Sequence, residues 1–185
     1  CYPGIDLDIV DGGRRDHLRA IGSRQLDVAF FTGYAPFACC DVEELWRERV
    51  YVAMAVPHPL AGCNALDWSQ LRNERFIVST MEPGPEVHDY IVRRVADYST
   101  YPDVTSRQVT VETLMHMVAI GEGITLVSEG WTSMTIPNVT LRPLTAAEDI
   151  VPFSAVWSPS TDTPALRRLE HARGQIAIGE DPGRP

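Results

Sequence analysis

Apolar residues recur at helical spacing from Val111 through Leu114, Met115, Val118 and Ala119, so Thr110–Ile120 is expected to be an amphipathic helix. Gly121 stands where a helix C-terminus favours a left-handed residue, and Gly123 lets the chain turn into Ile124–Val127, a short apolar run expected to be a buried parallel strand. Earlier in the chain, Ile5-Asp6-Leu7-Asp8-Ile9-Val10 alternates as a half-buried strand does, and Asp11-Gly12-Gly13 breaks it. Asp16–Ser23 then reads as a helix with Leu18 and Ile21 on its apolar side. Leu26–Phe31, almost continuously apolar, reads as a second buried parallel strand.

The middle of the chain continues this alternation. Val42–Glu48 is an approach segment carrying Trp46, and Val50–Val56 a strand closed by Pro57-His58-Pro59-Leu60. A helical turn over Leu66–Leu71, a strand over Phe76–Ser79 and a Pro/Gly-rich loop over Met81–Pro85 follow. Pro85 suits the first turn of a helix running to about Tyr98, with Val87, Ile91, Arg94 and Val95 at helical spacing. Val139–Leu144 and Phe153–Trp157 are further strands, Pro164–Ile176 a last helix, and the tail from Gly179 a frayed end. Strands alternating with helices predict an α/β protein with mostly parallel sheets.

Composition narrows the class. At 185 residues and 44% hydrophobic content, with mean hydropathy near zero, the chain has enough apolar surface for a core as one domain or two small lobes. The longest apolar run, Val50–Pro57, is too short to span a bilayer, and no signal peptide is visible. All 16 basic residues are Arg, which reads as compositional bias. The net charge of −9 repels phosphate backbones, so DNA contact is not expected from this segment. Cys1, Cys39, Cys40 and Cys63 lack a C-x-x-C pair, and are read as reduced cysteines of a cytoplasmic protein.

Catalytic patterns do not assemble. Leu126-Val127-Ser128-Glu129-Gly130 lacks the first glycine of a nucleophile elbow. Gly121-Glu122-Gly123 follows a helix instead of a strand, the wrong order for dinucleotide binding. His17, His58, His88, His116 and His171 are dispersed, without metal-ligand spacing. No cofactor and no metal are expected, and the chain reads as a binding module.

Three segments carry a family likeness: Thr110–Gly130 (TVETLMHMVAIGEGITLVSEG), Val52–Gly62 (VAMAVPHPLAG) and Gln25–Phe30 (QLDVAF). In this order and spacing the chain resembles the effector-binding half of LysR-type transcriptional regulators. The resemblance implies a type II periplasmic-binding-protein-like α/β fold, two Rossmann-like lobes joined by two hinge strands. Residues 1–56 with 157–185 would form one lobe and 57–156 the other, with Val50–Val56 and Phe153–Trp157 as the hinges. It also implies a small-molecule effector in the cleft between lobes, self-association as dimer or tetramer, and DNA contact only through a separate N-terminal domain. One more strand and helix precede the Tyr2-Pro3-Gly4 turn in that family, so a chain opening on Cys1 is expected to be a fragment.

Ligands of open α/β sheets sit beyond the carboxyl ends of strands. Three loops are expected there: Thr32-Gly33-Tyr34, Ser79-Thr80-Met81 and Thr110-Val111-Glu112. Helix starts and the hydroxyls of Ser79, Thr80 and Thr110 suit a small anion, a carboxylate or aromatic acid. Thr110 is equally suited to plain N-capping, and Thr32 and Tyr34 to turn chemistry. Arg49 offers a fork for a carboxylate or a solvated strand-end charge. Trp157 offers an aromatic wall or a core residue. The other reading is a solute-binding protein for transport, with Cys1 as a lipid-modified terminus; the Leu26-Asp27-Val28-Ala29 and His58-Pro59-Leu60-Ala61 segments favour the regulator.

Overall fold

The alternating apolar spacing of the chain resolves into four α-helices and seven strands among the described residues, in a computed structural model that describes residues 7–33, 37–98 and 101–161. In chain order these are α1 (Arg14–Gly22), β1 (Ala29–Thr32), β2 (Asp41–Ala55), α2 (Trp68–Leu71), β3 (Arg75–Ser79), α3 (Gly84–Ala96), β4 (Asp103–Arg107), α4 (Val111–Ala119), β5 (Thr125–Ser128), β6 (Val139–Pro143) and β7 (Ile150–Trp157). The chain divides into two compact units, Cys1–Trp46 with Pro152–Pro185, and Arg47–Val151. Both boundaries fall within strands, β2 and β7.

In the first unit β1 pairs antiparallel with β7, Ala29 opposite Val156 and Thr32 opposite Phe153. Ile21 of α1 packs with Ala29, Phe31 and Val156 on one face, and Ala155 and Trp157 pack with Val28 and Leu45 in a separate cluster. The expected parallel strand over Leu26–Phe31 is therefore a shorter antiparallel one, and Phe30 on its second face is 58% exposed. The apolar run reported hydrophobicity but not strand direction. Residues 7–10 of the expected first strand carry no secondary structure, with Ile9 exposed; the start of that segment, Tyr34 and the expected helix over 164–176 lie outside the described residues.

The second unit is a doubly covered sheet. β3 and β4 run parallel, Phe76 bridges Ile124 in parallel at the entry to β5, and β2 pairs antiparallel with both β5 and β6. Side chains alternate across it. Val52, Met54, Phe76, Val78 and Leu126 face α2 and α3 through Trp68, Leu71, Ile91 and Val95. Ala53, Ile77 and Val127 pack with Leu114, Met115 and Val118 of α4. β4 was not anticipated, and the approach segment over 42–48 is the first half of the 15-residue β2.

Two glycines fix this packing. Gly121 has φ +84 and supplies the left-handed residue that ends α4. A Cβ at Gly123 would stand 2.8 Å from the Arg75 carbonyl oxygen, which accepts the Ile124 N–H at 2.9 Å and so joins β3 to β5.

Candidate functional site

Because β3, β4 and β5 are parallel, their carboxyl ends at Ser79, Arg107 and Ser128 lie at one end of the second unit's sheet. Val50 of β2 pairs with Ser128, so Arg49 is at that end too. α3 and α4 begin directly beyond it. The fold thus brings Arg49, Ser79, Thr80, Thr110, Val111 and Glu112 to one sheet end.

Ser79 is buried, and its hydroxyl is fully engaged as a brace. It donates to the Val109 carbonyl at 2.6 Å and accepts the Met81 N–H at 2.8 Å, tying the loop after β3 to the loop before α4. The Thr80 N–H donates to the Arg107 carbonyl at 2.8 Å, while the Thr80 residue itself is exposed. These bonds set the two loops in a fixed relation, so the α4 start rests on rigid strands.

Thr110 is the N-cap of α4: its backbone is extended, and its hydroxyl oxygen accepts the Thr113 N–H at 3.4 Å. The Val111 N–H has no partner among the described residues, as expected of a first-turn amide. Glu112 lies in the same turn and is fully exposed. Its own backbone N–H and the Thr110 hydroxyl hold its carboxyl below the usual carboxylate range. The helix start therefore already carries one carboxylate of its own in its first turn.

Arg49 is committed in part to structure. Its Nη2 donates to the Leu144 carbonyl at 2.8 Å, and its backbone N–H approaches Glu129 Oε2 at 3.4 Å. Glu48 Oε2 accepts the Gly130 N–H at 2.8 Å, at the start of the short 3-10 helix Glu129–Ser133. Sequence reading passed over Glu48, because its partner is 82 residues away and no local pattern signals the contact.

Thr32, Gly33 and Trp157 belong to the first unit. Thr32 ends β1, and the Gly33 N–H donates to the Pro152 carbonyl at 3.0 Å with φ +88. Trp157 lies four ladder positions beyond Phe153, the partner of Thr32, and is buried with Ala155, Val28 and Leu45. It is a core residue of this unit and is not beside Thr32 or Gly33. No group of three or more His, Cys, Asp or Glu among the described residues could hold a metal ion.

Residues 1–174 match the family model for the LysR substrate binding domain. The chain belongs to the LysR substrate-binding domain family. Among curated LysR-family relatives, it is 28% identical over 178 residues to the HTH-type transcriptional regulator BudR of Raoultella terrigena, covering 93% of this chain and 57% of BudR. It is 34% identical over 128 residues to XapR of Escherichia coli, covering 68% of this chain and 42% of XapR. The chain thus spans less than two thirds of these relatives, which are transcriptional regulators. Among solved structures, the BenM effector binding domain with its effector benzoate shares the fold at TM-score 0.78 and 22% identity, over 94% of this chain and 79% of that one. CbnR complexed with its target DNA shares it at TM-score 0.77 and 14% identity, over 88% of this chain and 57% of that one. The LysR-domain fold is accordingly α/β, of the type II periplasmic-binding-protein-like class. No helix among the described residues is long and apolar enough to cross a membrane.

Proposed function

We propose that this LysR domain senses a small carboxylate or aromatic acid for a DNA-binding transcriptional regulator, and that the acid docks at the start of α4. The observation that carries the reading is the assembly of Thr80, Thr110 and the open Val111 amide at one sheet end, on loops braced by Ser79. A first-turn amide and two hydroxyls supply donors, and the helix start supplies positive potential. The BenM domain of like fold was solved with benzoate, which supports an acid as the effector class. An arriving carboxylate meets the Val111 amide and the Thr110 hydroxyl beside the exposed Glu112 carboxylate, whose negative charge opposes it. Arg49 adds positive charge at the same end through the guanidinium nitrogens not bonded to Leu144.

In the whole protein, the acid binds one conformation better than another and shifts the population between them. A separate N-terminal domain touches DNA, since the acidic surface of this segment repels phosphate. CbnR, of like fold, was solved full-length with its target DNA, which supports a DNA-binding whole protein. On this reading the regulator acts as a dimer or tetramer in the cytoplasm. The test is DNA binding by the full-length protein, titrated with a panel of aliphatic and aromatic carboxylates. One of them is expected to change DNA affinity, and Thr110→Val to suppress that response while leaving basal DNA binding intact. A response that survives Thr110→Val unchanged refutes the α4 site. Indifference to every carboxylate refutes the effector class.

A further inference from the structure

Cys39 and Cys40 are consecutive free thiols in the turn that leads from Phe37 into β2. Cys39 is exposed with φ +62, a conformation uncommon for any residue but glycine. Cys40 is half-buried and packs against the cluster of Ile21, Ala29, Phe31 and Val156, which anchors the turn to the first unit's core. The two thiols are on consecutive residues of one turn, the exposed Cys39 beside the anchored Cys40. Burial pushes the Cys40 thiol up, and the charges of Cys39 and Asp41 push it further.

That environment selects the chemistry. A thiol held protonated is a slow nucleophile, which disfavours a peroxide-sensing role. A soft Lewis acid is not so limited, because the metal–sulfur bond drives loss of the proton. No third His, Cys, Asp or Glu completes a metal-holding group among the described residues, so a tetrahedral zinc site is not built here. Two adjacent thiols and no further ligand suit a soft species satisfied by two thiolates.

We propose that Cys39 and Cys40 form a dithiol site for trivalent arsenicals. An arsenical R–As(OH)2 exchanges both hydroxyls for the two sulfurs. Two As–S bonds form, two As–O and two S–H bonds break, and each thiol proton leaves with a hydroxyl as water. Arsenic stays trivalent, so no oxidant or reductant is consumed. Once one sulfur is attached, the second bond forms within the same chain at high effective concentration, and the adduct resists competing monothiols. This site belongs to the first unit and the α4 start to the second, so the proposal does not depend on the effector reading.

The experiment treats the reduced 185-residue chain with one equivalent of phenylarsine oxide and follows it by intact mass. The adduct is expected to carry one phenylarsine group, to survive excess 2-mercaptoethanol and to be released by 2,3-dimercaptopropanol. Cys39→Ser and Cys40→Ser should each lose that survival, while Cys1→Ser, Cys63→Ser and Thr110→Val keep it. Because Cys39 is exposed, its substitution decides the matter even where Cys40→Ser disturbs the cluster. Release of the wild-type adduct by monothiol, or its retention in Cys39→Ser, overturns the proposal.

Discussion

Removing the carboxylate of Asp149 should destabilise the second unit more than any exposed substitution. Its side chain is fully buried (0% exposed) and collects three donors from two helices. Trp68 Nε1 of α2 reaches its two oxygens at 3.2 and 3.0 Å, Arg94 Nη2 of α3 reaches one at 2.9 Å, and the Tyr90 hydroxyl of α3 donates to the same oxygen. Burial, and then the bond to Asp149, push the Tyr90 hydroxyl well above its ordinary pKa. The Asp149 backbone carbonyl also accepts the Val50 N–H at 2.9 Å, so this residue ties both helices to the strand β2. In Asp149→Ala the Trp68 N–H is left buried without an acceptor, which costs roughly 1–3 kcal/mol. Arg94 loses its buried partner but keeps Glu148 at 3.3 Å and is 20% exposed, so its share falls below the full cost of a broken buried pair. The sum is about 3–5 kcal/mol. Asp149→Asn keeps one acceptor and loses the charge, for about 1–2 kcal/mol. Urea unfolding followed by tryptophan fluorescence and far-UV circular dichroism measures both. An Asp149→Ala variant within about 1 kcal/mol of wild type would refute the reasoning, as would equal losses in the two variants.

Three further outcomes follow from the packing and the helix starts. Gly123→Ala sets a Cβ 2.8 Å from the Arg75 carbonyl, at the seam between β3 and β5, and should cost about 2–4 kcal/mol by urea titration. Glu112→Gln removes a negative charge from the first turn of α4, so affinity for a small carboxylate should rise by calorimetry; an unchanged or weaker affinity would show that Glu112 does not oppose the anion. Asp67 caps α2, and the Ser69 hydroxyl and then the Ser69 N–H hold its carboxyl below the usual range. A depressed folded pKa gives stability that is full above the unfolded value and lost as pH falls through the folded one. Stability of Asp67→Asn should therefore fall less on acidification than that of wild type, measured as urea midpoints between neutral pH and pH about 3.

The sequence was most legible where local chemistry alone dictates the structure. The α4 segment shows its N-cap, its apolar face, its left-handed Gly121 and its close-packed Gly123 within fourteen residues, and each does in the structure what its type allows. The helix expected over 85–98 forms over Gly84–Ala96 for the same reason. Strand direction was not legible, because an apolar run reports burial and not the partner. β5 is buried as read, yet it bonds antiparallel to β2 on one side and meets β3 in parallel on the other. The half of β2 before Val50 is rich in charge, and only its place in the fold makes it strand. The Trp68–Asp149 contact joins residues 81 apart, beyond any local pattern. At the candidate site the loops were placed by the rule for strand ends, whereas Ser79 as a brace emerges only from geometry.

The central claim is an acid-binding site at the start of α4, and amide chemical-shift mapping of the labelled chain during a titration with benzoate and a panel of aliphatic carboxylates tests it most directly. Saturable shifts centred on the amides of residues 80–82 and 110–113, weakened in Thr110→Val, are the predicted result. Saturable binding whose shifts leave those amides unmoved would contradict the account.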